Sequence, residues 1–311
     1  MIELLDPTRD LEGYLRLRHQ ALDQTMSKAE FLEVEARRSP DRPARQLLIR
    51  EGDRVVAAGQ GTMHHDSPTK VVMAWVTVED SHRRRGLGRA ILQTIEGYAR
   101  EVGGRKLMVE YPEAEVGSSR FAETMGLAPE NLSFESSLDL TALPVDSGER
   151  GLEILRNQGL ELYVMRPASP EEPDLDRLYG LFHEAQLDEP MTAIYGVDSE
   201  SLFRSRFSDS AFQRGAAFIA TDGGQFAAYT QILWTEGGDL WNEFTGTARA
   251  YRGRGLAHAV KLIATDWARQ QGGTILRTYN HSANAPMLAV NRKLGYQPKP
   301  AWVTAAKEIL S

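Results

Sequence analysis

The chain carries the same short glycine motif twice. The first copy reads Arg83-Arg-Arg-Gly86-Leu-Gly88, and the second reads Arg252-Gly-Arg-Gly255-Leu-Ala257. The two anchor arginines lie 169 residues apart, and each follows a ring side chain, His82 or Tyr251. Two copies at this distance are too few for a solenoid of short repeats. The repeat therefore predicts two related domains, each presenting an Arg-x-x-Gly-x-small loop.

Length and composition fit two folded domains. The 311 residues correspond to two domains of about 150 residues each. With 41% hydrophobic and 25% charged residues, the chain can bury real cores and is not of the disordered class. The net charge of −7 disfavours a general nucleic-acid binder. The chain contains no cysteine, which excludes disulfides, a thiolate nucleophile and cysteine-based zinc sites.

Targeting and metal signals are also missing from the sequence. No run approaches about 18 uninterrupted apolar residues, and the first residues lack the pattern of a secretory signal. The histidines show no metal-ligand spacing, so we predict no metal site. We expect a cytoplasmic protein, a monomer or homodimer, with no nucleic-acid or membrane partner.

Both halves show the same order of predicted elements. The first half has helical spacing over 13–36, strands over 46–50, 55–59 and 71–78, a helix over 87–100, a strand over 106–110, a helix over 118–125 and a strand over 133–140. The second half repeats this order with a helix over 174–186, strands over 216–220, 226–234 and 240–247, a helix over 256–271, a strand over 274–279 and a helix over 284–294. A cluster of Pro144, Asp146, Ser147 and Gly148 indicates a linker. The predicted domains are therefore 1–145 and 160–311, with a linker at 146–159.

A strand that runs through such a loop into an amphipathic helix suits a bound pyrophosphate. Glycine lets the backbone turn sharply and approach a ligand closely. The first amides of the helix have no partner within it and carry the positive end of its dipole. The alternative, a glycine-rich turn with solvated arginines, is weakened by the second copy in a matching context. Neither a dinucleotide fingerprint nor a Walker loop occurs in the chain.

The two loops resemble the signature Arg/Gln-x-x-Gly-x-Gly/Ala of the GCN5-related N-acetyltransferase (GNAT) superfamily. The segment from Asn284 through Asn291 to Gly295-Tyr296 is similar to the family's later Asn…Gly-aromatic helix. The tandem layout resembles that of mycothiol synthase and related two-domain acetyltransferases. Together the two halves cover most of the chain.

The resemblance implies an α/β (α+β) fold with two tandem GNAT-like domains. Each would hold a mixed, splayed, mostly antiparallel β-sheet flanked by helices, with acetyl-CoA as cosubstrate in the opening and no metal. Backbone groups near Val76 and Val78, or Thr245 and Thr247, would pair with the pantetheine arm. The implied cofactor-binding residues of the loops are Arg83, Arg84, Arg85, Gly86, Leu87, Gly88 and Arg89 in the first copy, and Arg252, Gly253, Arg254, Gly255, Leu256, Ala257 and His258, with Asn284, in the second.

Glu243 is the candidate proton acceptor. Strand alternation places Glu243, Thr245 and Thr247 on one face of the strand before the second loop. A carboxylate there would remove the proton of an attacking amine, directly or through water; a purely structural strand glutamate is the alternative. The matching position in the first copy is Ala74, which favours chemistry in the second half.

Asn291 is the second catalytic candidate. Many family members have a tyrosine at this position as the acid for the CoA thiolate, and the first copy has Ala122 there. An asparagine is a poor acid but can hydrogen-bond the cofactor or the acyl oxygen, so we expect water to protonate the thiolate. Because Glu115 replaces Asn284 in the first copy, we expect a degenerate first domain without activity, with CoA binding left open.

Asp188 and Glu189 are the candidate acceptor-binding residues, since acidic groups suit a cationic amine; solvated loop charge is the alternative. The sequence thus predicts an acetyl-CoA-dependent N-acetyltransferase acting on a primary amine of a small molecule in its C-terminal domain. The alternatives are a non-catalytic acyl-CoA-binding or sensory protein, and a protein or peptide N-acetyltransferase. The acceptor's identity and the length of the acyl group stay open.

Overall fold

The described residues form two compact units. The computed structural model describes the whole chain except residues 23–24, 41, 65–66, 167–171, 209–211, 236–237 and 310–311. The first unit contains Met1–Leu132, Ala193–Gly196 and Ala301–Ser311, and the second contains Ser133–Thr192 and Val197–Pro300. Each holds a mixed, mostly antiparallel β-sheet flanked by helices, which confirms the predicted fold class.

The elements follow the predicted order and add several that the sequence did not indicate. The strands are β1 (Ile2–Leu4), β2 (Ala44–Glu51), β3 (Arg54–His64), β4 (Val71–Val78), β5 (Lys106–Pro112), β6 (Ala128–Asp139), β7 (Glu161–Met165), β8 (Ala216–Asp222), β9 (Gln225–Trp234), β10 (Leu240–Thr247), β11 (Ile275–His281), β12 (Gln297–Pro298) and β13 (Trp302–Glu308). The helices are α1 (Leu11–Leu22), α2 (Lys28–Ala36), α3 (Leu87–Glu101), α4 (Val116–Thr124), α5 (Ser147–Arg156), α6 (Glu172–Gln186), α7 (Thr192–Tyr195), α8 (Glu200–Ser208), α9 (Leu256–Gln270) and α10 (Ala285–Leu294). None of the described helices is long and apolar enough to cross a lipid bilayer.

The two sheets have matching topologies. The first unit orders its strands β1-β2-β3-β4-β5-β13. Starting from the matching edge, the second unit orders them β7-β8-β9-β10-β11-β6, with β12 beside β6. In the first, β4 and β5 run parallel; in the second, β10 and β11 do. The other pairs that hold each sheet together are antiparallel. The repeat seen in the glycine loops therefore extends to whole sheets.

Both parallel pairs open before their strands end. Pairing between β4 and β5 stops at Ala74 and Val109, although β4 continues to Val78. Pairing between β10 and β11 is limited to Leu240 and Trp241. The remainder of each strand, up to its glycine loop, therefore lies along a gap in the sheet.

Helices cover both faces of each sheet, so the central strands are apolar on both sides. Along β8, Phe218 packs in the same core cluster as Val260 of α9, whereas the next residue, Ile219, packs in the cluster of Phe182 from α6. This alternation explains why β8 is buried along almost its whole length.

Three local predictions differ from the structure. The helix predicted over 13–36 is two helices, because Ser27 and Glu30 form a capping box that starts α2. The strand predicted over 133–140 belongs to β6, which pairs with β11 in the second unit. The C-terminal β13 instead pairs with β5 in the first unit, so the predicted boundary at 145 does not match the compact units.

The predicted linker at 146–159 contains α5. Its small residues allow close packing against α9: a Cβ on Gly148 would meet Asp266 Oδ2 at 2.5 Å, and one on Gly151 would meet Ala259 O at 2.7 Å. The clustered glycine and serine residues therefore allow close helix packing. They do not form the flexible linker that their clustering predicts.

We predict that Gly151→Ala destabilises the second unit by about 1–3 kcal/mol, because the added methyl group overpacks the contact between α5 and α9. Gly180→Ala in α6 is the matched control, since its Cβ would have no neighbour within 4 Å; it should stabilise by about 0.5–1 kcal/mol. Denaturant unfolding of both variants measures this. Equal effects would show that α5 does not pack as described.

Candidate functional site

The two glycine loops have the same backbone conformation. Each follows its strand through one turn of 3₁₀ helix. Arg84 and Gly253 occupy matching positions with φ of 63° and 76°, and Gly86 and Gly255 match with 79° and 76°. A left-handed residue other than glycine is uncommon, so the first copy holds Arg84 in a conformation that the second copy assigns to glycine.

The anchor arginines tie each loop to the strand before it. Arg83 Nε donates to Val78 O at 3.1 Å, and Arg252 Nε donates to Thr247 O at 3.1 Å. In both copies the accepting carbonyl belongs to the last residue of the strand. These two side chains therefore fix the loop, a role in addition to the predicted one of binding phosphate.

The ring residues before the anchors hold the loops from the opposite side. His82 Nε2 lies 3.1 Å from Glu51 Oε2, and the Tyr251 hydroxyl donates to Asp222 Oδ2 at 3.0 Å. Each carboxylate ends a strand at the turn of the preceding hairpin. The ring that the sequence repeats is thus a tether between loop and hairpin.

The helix that follows each loop begins with free amides. Gly86 and Gly255 are the N-cap residues of α3 and α9, and neither helix receives a side-chain cap. The first helical bonds are Ala90 N to Gly86 O and Ala259 N to Gly255 O. A Cβ at either capping glycine would have no atom within 4 Å. The loops thus offer open space and unpaired donors, which fits a pyrophosphate group.

A β-bulge on β10 places Glu243 outside the strand ladder. Asn242 pairs with Ile232 and Phe244 with Gln231, which leaves Glu243 as the inserted residue. The alternation that grouped Glu243 with Thr245 and Thr247 does not hold across this bulge. The matching strand β4 keeps an unbroken register with β3.

The side chains beside the bulge show that the alternation of faces along β10 shifts by one residue there. Asn242 Nδ2 donates to Thr230 Oγ1 at 2.8 Å, and Thr245 Oγ1 lies 2.7 Å from the same hydroxyl. Residues 242 and 245 therefore share a face. Where β10 leaves β11, the Thr278 hydroxyl donates to Asn242 O at 3.0 Å, which closes the apex of the opening.

Asn291 ends a buried chain of amide hydrogen bonds. Its Nδ2 donates to Asn280 Oδ1 at 2.7 Å, and Asn280 Nδ2 donates to Ser136 Oγ at 2.9 Å. Asn291 is 3% exposed, yet its Oδ1 has no hydrogen-bond partner within the described part of the chain. Such an orphaned acceptor suits a ligand N–H.

Asn284, in contrast, caps a helix. Its side-chain oxygen accepts from Met287 N at 3.3 Å at the start of α10. The loss of this asparagine at Glu115 leaves α4 without a side-chain cap. The exchange of Asn284 for Glu115 therefore removes a helix cap.

The two predicted acceptor-binding residues differ in their surroundings. Asp188 lies between Arg249 and Arg252, whose nitrogens approach its oxygens at 2.9 and 2.6 Å. Hydrogen bonds from these arginines lower the pKa of Asp188 to about 2. Asp188 is thus engaged by the second loop, and its contacts do not fit the predicted role in acceptor binding.

The Glu189 carboxyl group has no such partner within the part of the chain that the structure describes. Burial raises the pKa of Glu189 to about 7, and the negative charge of Asp198 adds to the shift while Arg206 opposes it. Its N–H donates to Gln186 O at 3.0 Å, and the N–H of Asp198 donates to Gln186 Oε1 at 2.9 Å. Two carboxylate residues are therefore fixed at the C-terminal end of α6.

In the first unit, the face of β4 that carries Met73 is covered by α7. The Tyr195 hydroxyl donates to Met73 Sδ at 3.4 Å, and burial raises the pKa of Tyr195 far above its usual range. The Ser67 and Thr69 hydroxyls donate to Ile194 O. The first copy therefore covers the Met73 face of β4 with protein, whereas Ala74 packs on the opposite face in the core cluster that contains Ile91.

We predict that Glu189→Gln stabilises the protein increasingly as pH rises. The carboxyl group is neutral in both states below its ordinary pKa of 4.5, and its ionisation disfavours the folded state up to a folded pKa of about 7. The gain should therefore grow between pH 4.5 and 7 and reach about 3 kcal/mol at pH 8. Unfolding midpoints at pH 5 and 8 test this; Glu200→Gln, on exposed α8, should give no comparable trend.

Comparison with known proteins agrees with the repeated architecture. The model of the acetyltransferase (GNAT) family matches residues 13–127 and again residues 177–296. No curated protein matches the chain.

Solved structures with tandem GNAT domains share this fold. A tandem GNAT protein from the clavulanic acid biosynthesis pathway is 20% identical with a TM-score of 0.69; the match covers 100% of this chain and 99% of that one. A GCN5-related N-acetyltransferase from Sphaerobacter thermophilus is 16% identical with a TM-score of 0.69, covering 100% and 96%. At such identities the likeness concerns the fold alone. With the family model matching both halves, the chain belongs to the acetyltransferase (GNAT) family.

Proposed function

We propose that the second unit transfers an acetyl group from acetyl-CoA to a primary amine of a small molecule. One observation carries the proposal: among the described residues, only those of the second unit combine the open glycine loop and splayed strands with a bulged strand bearing a carboxylate, Glu243. The first unit has the loop and the splay, but its β4 is regular and carries Ala74.

The residues of the second unit fit CoA. The amides of Leu256, Ala257 and His258 open α9 and would hold the pyrophosphate, supported by the left-handed Gly253 and Gly255. The part of β10 with Thr245 and Thr247 lies along the gap in the sheet, where an extended pantetheine arm would pair with its backbone. The orphaned Asn291 Oδ1 would accept a hydrogen bond from a pantetheine amide.

The chemistry is direct attack on the thioester. The amine nitrogen forms a bond to the acyl carbon, the carbon–sulfur bond breaks, and the nitrogen loses a proton to Glu243, directly or through water. Asn291 is an amide and cannot supply a proton to the CoA thiolate. That proton comes from water.

The first unit is proposed to bind CoA without turnover. It keeps the tethered loop and the uncapped start of α3, but its strand carries the buried Ala74 where the second unit has Glu243, and Tyr195 covers the opposite face of β4. A non-catalytic acyl-CoA sensor and a protein N-acetyltransferase are the competing functions.

The test is thiol release from acetyl-CoA with a panel of small amines and with a lysine-containing peptide. We expect acceptor-dependent release with a small amine, reduced roughly 100-fold by Glu243→Gln. Tight binding of acetyl-CoA without turnover on any acceptor would establish the sensor. Turnover confined to the peptide would establish the protein acetyltransferase.

Matched loop variants assign the active unit. Ala257→Glu and Gly88→Glu each place a carboxylate in the first turn of a helix, where it favours the helix dipole but repels a pyrophosphate. Calorimetry should show two CoA molecules per chain in the wild type and one in each variant. Turnover should be lost only in Ala257→Glu; the reverse pattern would place the active site in the first unit.

A further inference from the structure

The two units repeat an aromatic triad in which two of the three rings differ. In the first unit the ring of Tyr14 lies 5.4 Å from that of Trp75 and 5.8 Å from that of Phe31. In the second unit the ring of Phe182 lies 4.8 Å from that of Phe244 and 4.9 Å from that of Phe203. Trp75 and Phe244 are 169 residues apart, as the two loops are. The helix position thus has a hydroxyl in the first unit and none in the second.

The strand beside Phe244 carries a phenol in the second unit. In the first unit the Tyr14 hydroxyl donates to Gln60 Oε1 at 2.9 Å. The strand residue that corresponds to Gln60 is Gln231, because Gln60 pairs with Trp75 and Gln231 pairs with Phe244. Tyr229 lies two residues before Gln231 on the same face of β9, and its ring centroid lies 5.4 Å from that of Phe244.

The Tyr229 hydroxyl has no hydrogen-bond partner among the described residues, and the side chain is 0% exposed. Burial raises the pKa of Tyr229 well above its usual range. An unsatisfied buried hydroxyl costs folding free energy. A phenylalanine would fill the same space without this cost. The retained hydroxyl therefore points to a ligand that forms a hydrogen bond with it.

The charges around this hydroxyl favour a cation. Arg206 has the largest electrostatic effect on it, and Glu189, Glu243 and Asp198 act in the opposite direction. Arg206 is ion-paired with Asp198, which leaves the carboxylates of Glu189 and Glu243 to attract a cation. The C-terminus of α6, where Glu189 lies, also attracts positive charge. These groups suit an ammonium group.

We propose that Tyr229 and Glu189 form the site that receives the acceptor amine, the phenol oxygen holding the ammonium group and the carboxylate taking its first proton. This inference rests on the proposed acetyl transfer in the second unit. Tyr229 and Glu189 are then catalytic residues, and Glu243 receives a different proton.

The acceptor nitrogen loses two protons during the transfer. The bound ammonium passes one proton to Glu189, which later releases it to solvent. The neutral nitrogen attacks the thioester carbon, and the second proton leaves the nitrogen of the tetrahedral adduct for Glu243, which also releases it to solvent. As the carbon–sulfur bond breaks, the CoA thiolate takes one proton from water, so one net proton is released per amide formed.

The raised pKa of Glu189 suits this step, because a base is most effective when its pKa lies near the working pH. Its carboxylate form is needed, so activity should fall as pH drops through about 7. Asp198 and Arg206 are the charged groups that face it. Because the negative charges of Glu189 and Glu243 act on the site, an acceptor with its own carboxylate beside the amine should bind poorly. The substrate class is a cationic primary amine, not an α-amino acid.

The test uses the full-length protein and the best amine found in the acetyl-transfer assay. Glu189→Gln should lower kcat/KM roughly 100-fold and remove the acidic limb of the pH profile. Tyr229→Phe should raise the KM for the amine roughly 10-fold, without a change in the KM for acetyl-CoA. Phenethylamine should be preferred over phenylalanine, which differs from it by one carboxylate, at least 10-fold.

Two controls separate a local role from a folding defect. Tyr14→Phe removes the satisfied phenol of the first unit; it should lower stability and leave amine kinetics unchanged. Glu200→Gln removes an exposed carboxylate and should change neither.

Wild-type kinetics and pH profiles in both Glu189→Gln and Tyr229→Phe, with Glu243→Gln still inactive, would overturn this inference and leave the proposed function intact. A preference for phenylalanine over phenethylamine would also overturn it. A wild-type protein that acetylates no amine would instead overturn the proposed function, and this inference with it.

Discussion

Each glycine loop depends on one hydrogen bond, which the Nε atom of the anchor arginine donates to the last carbonyl of the preceding strand. Arg83 and Arg252 make it at the same distance in both units. It fixes where the strand stops and where the left-handed residues begin, and so aims the first amides of α3 and α9. The hairpin carboxylates that hold His82 and Tyr251 fix the other side of the loop. These contacts fix the position of the loop relative to the gap in the sheet.

The two units share this loop geometry but differ in the residues around it. The first unit has a regular β4, a satisfied Tyr14–Gln60 pair and a covering α7 segment. The second has a bulged β10 and, at Tyr229, a phenol without a hydrogen-bond partner among the described residues. In this region the first unit pairs its phenol within the protein, and the second does not. This contrast between stability and reactivity is the pattern expected when a functional site retains unfavourable local features.

The sequence predicted the repeat, the element order and the loops, because glycine position and apolar periodicity encode local backbone conformation directly. It could not show the bulge, since β-bulges leave no period of their own and Glu243 was placed by simple alternation. The packed α5 was missed because Gly148 and Gly151 look the same in a linker and in a close helix contact. Tyr229 was missed because it sits within an apolar strand run, and only the three-dimensional neighbours of its hydroxyl distinguish it from a core residue.

The exchange of β6 and β13 between the halves of the sequence constrains synthesis. The first unit takes its last strand from residues translated after the whole second unit, so its sheet stays one strand short while the ribosome completes the chain. The second unit already has β6 when its own strands emerge. The second unit can therefore complete its sheet first, although its sequence comes later. A gene encoding only the first 145 residues would yield a sheet with β5 as an open edge.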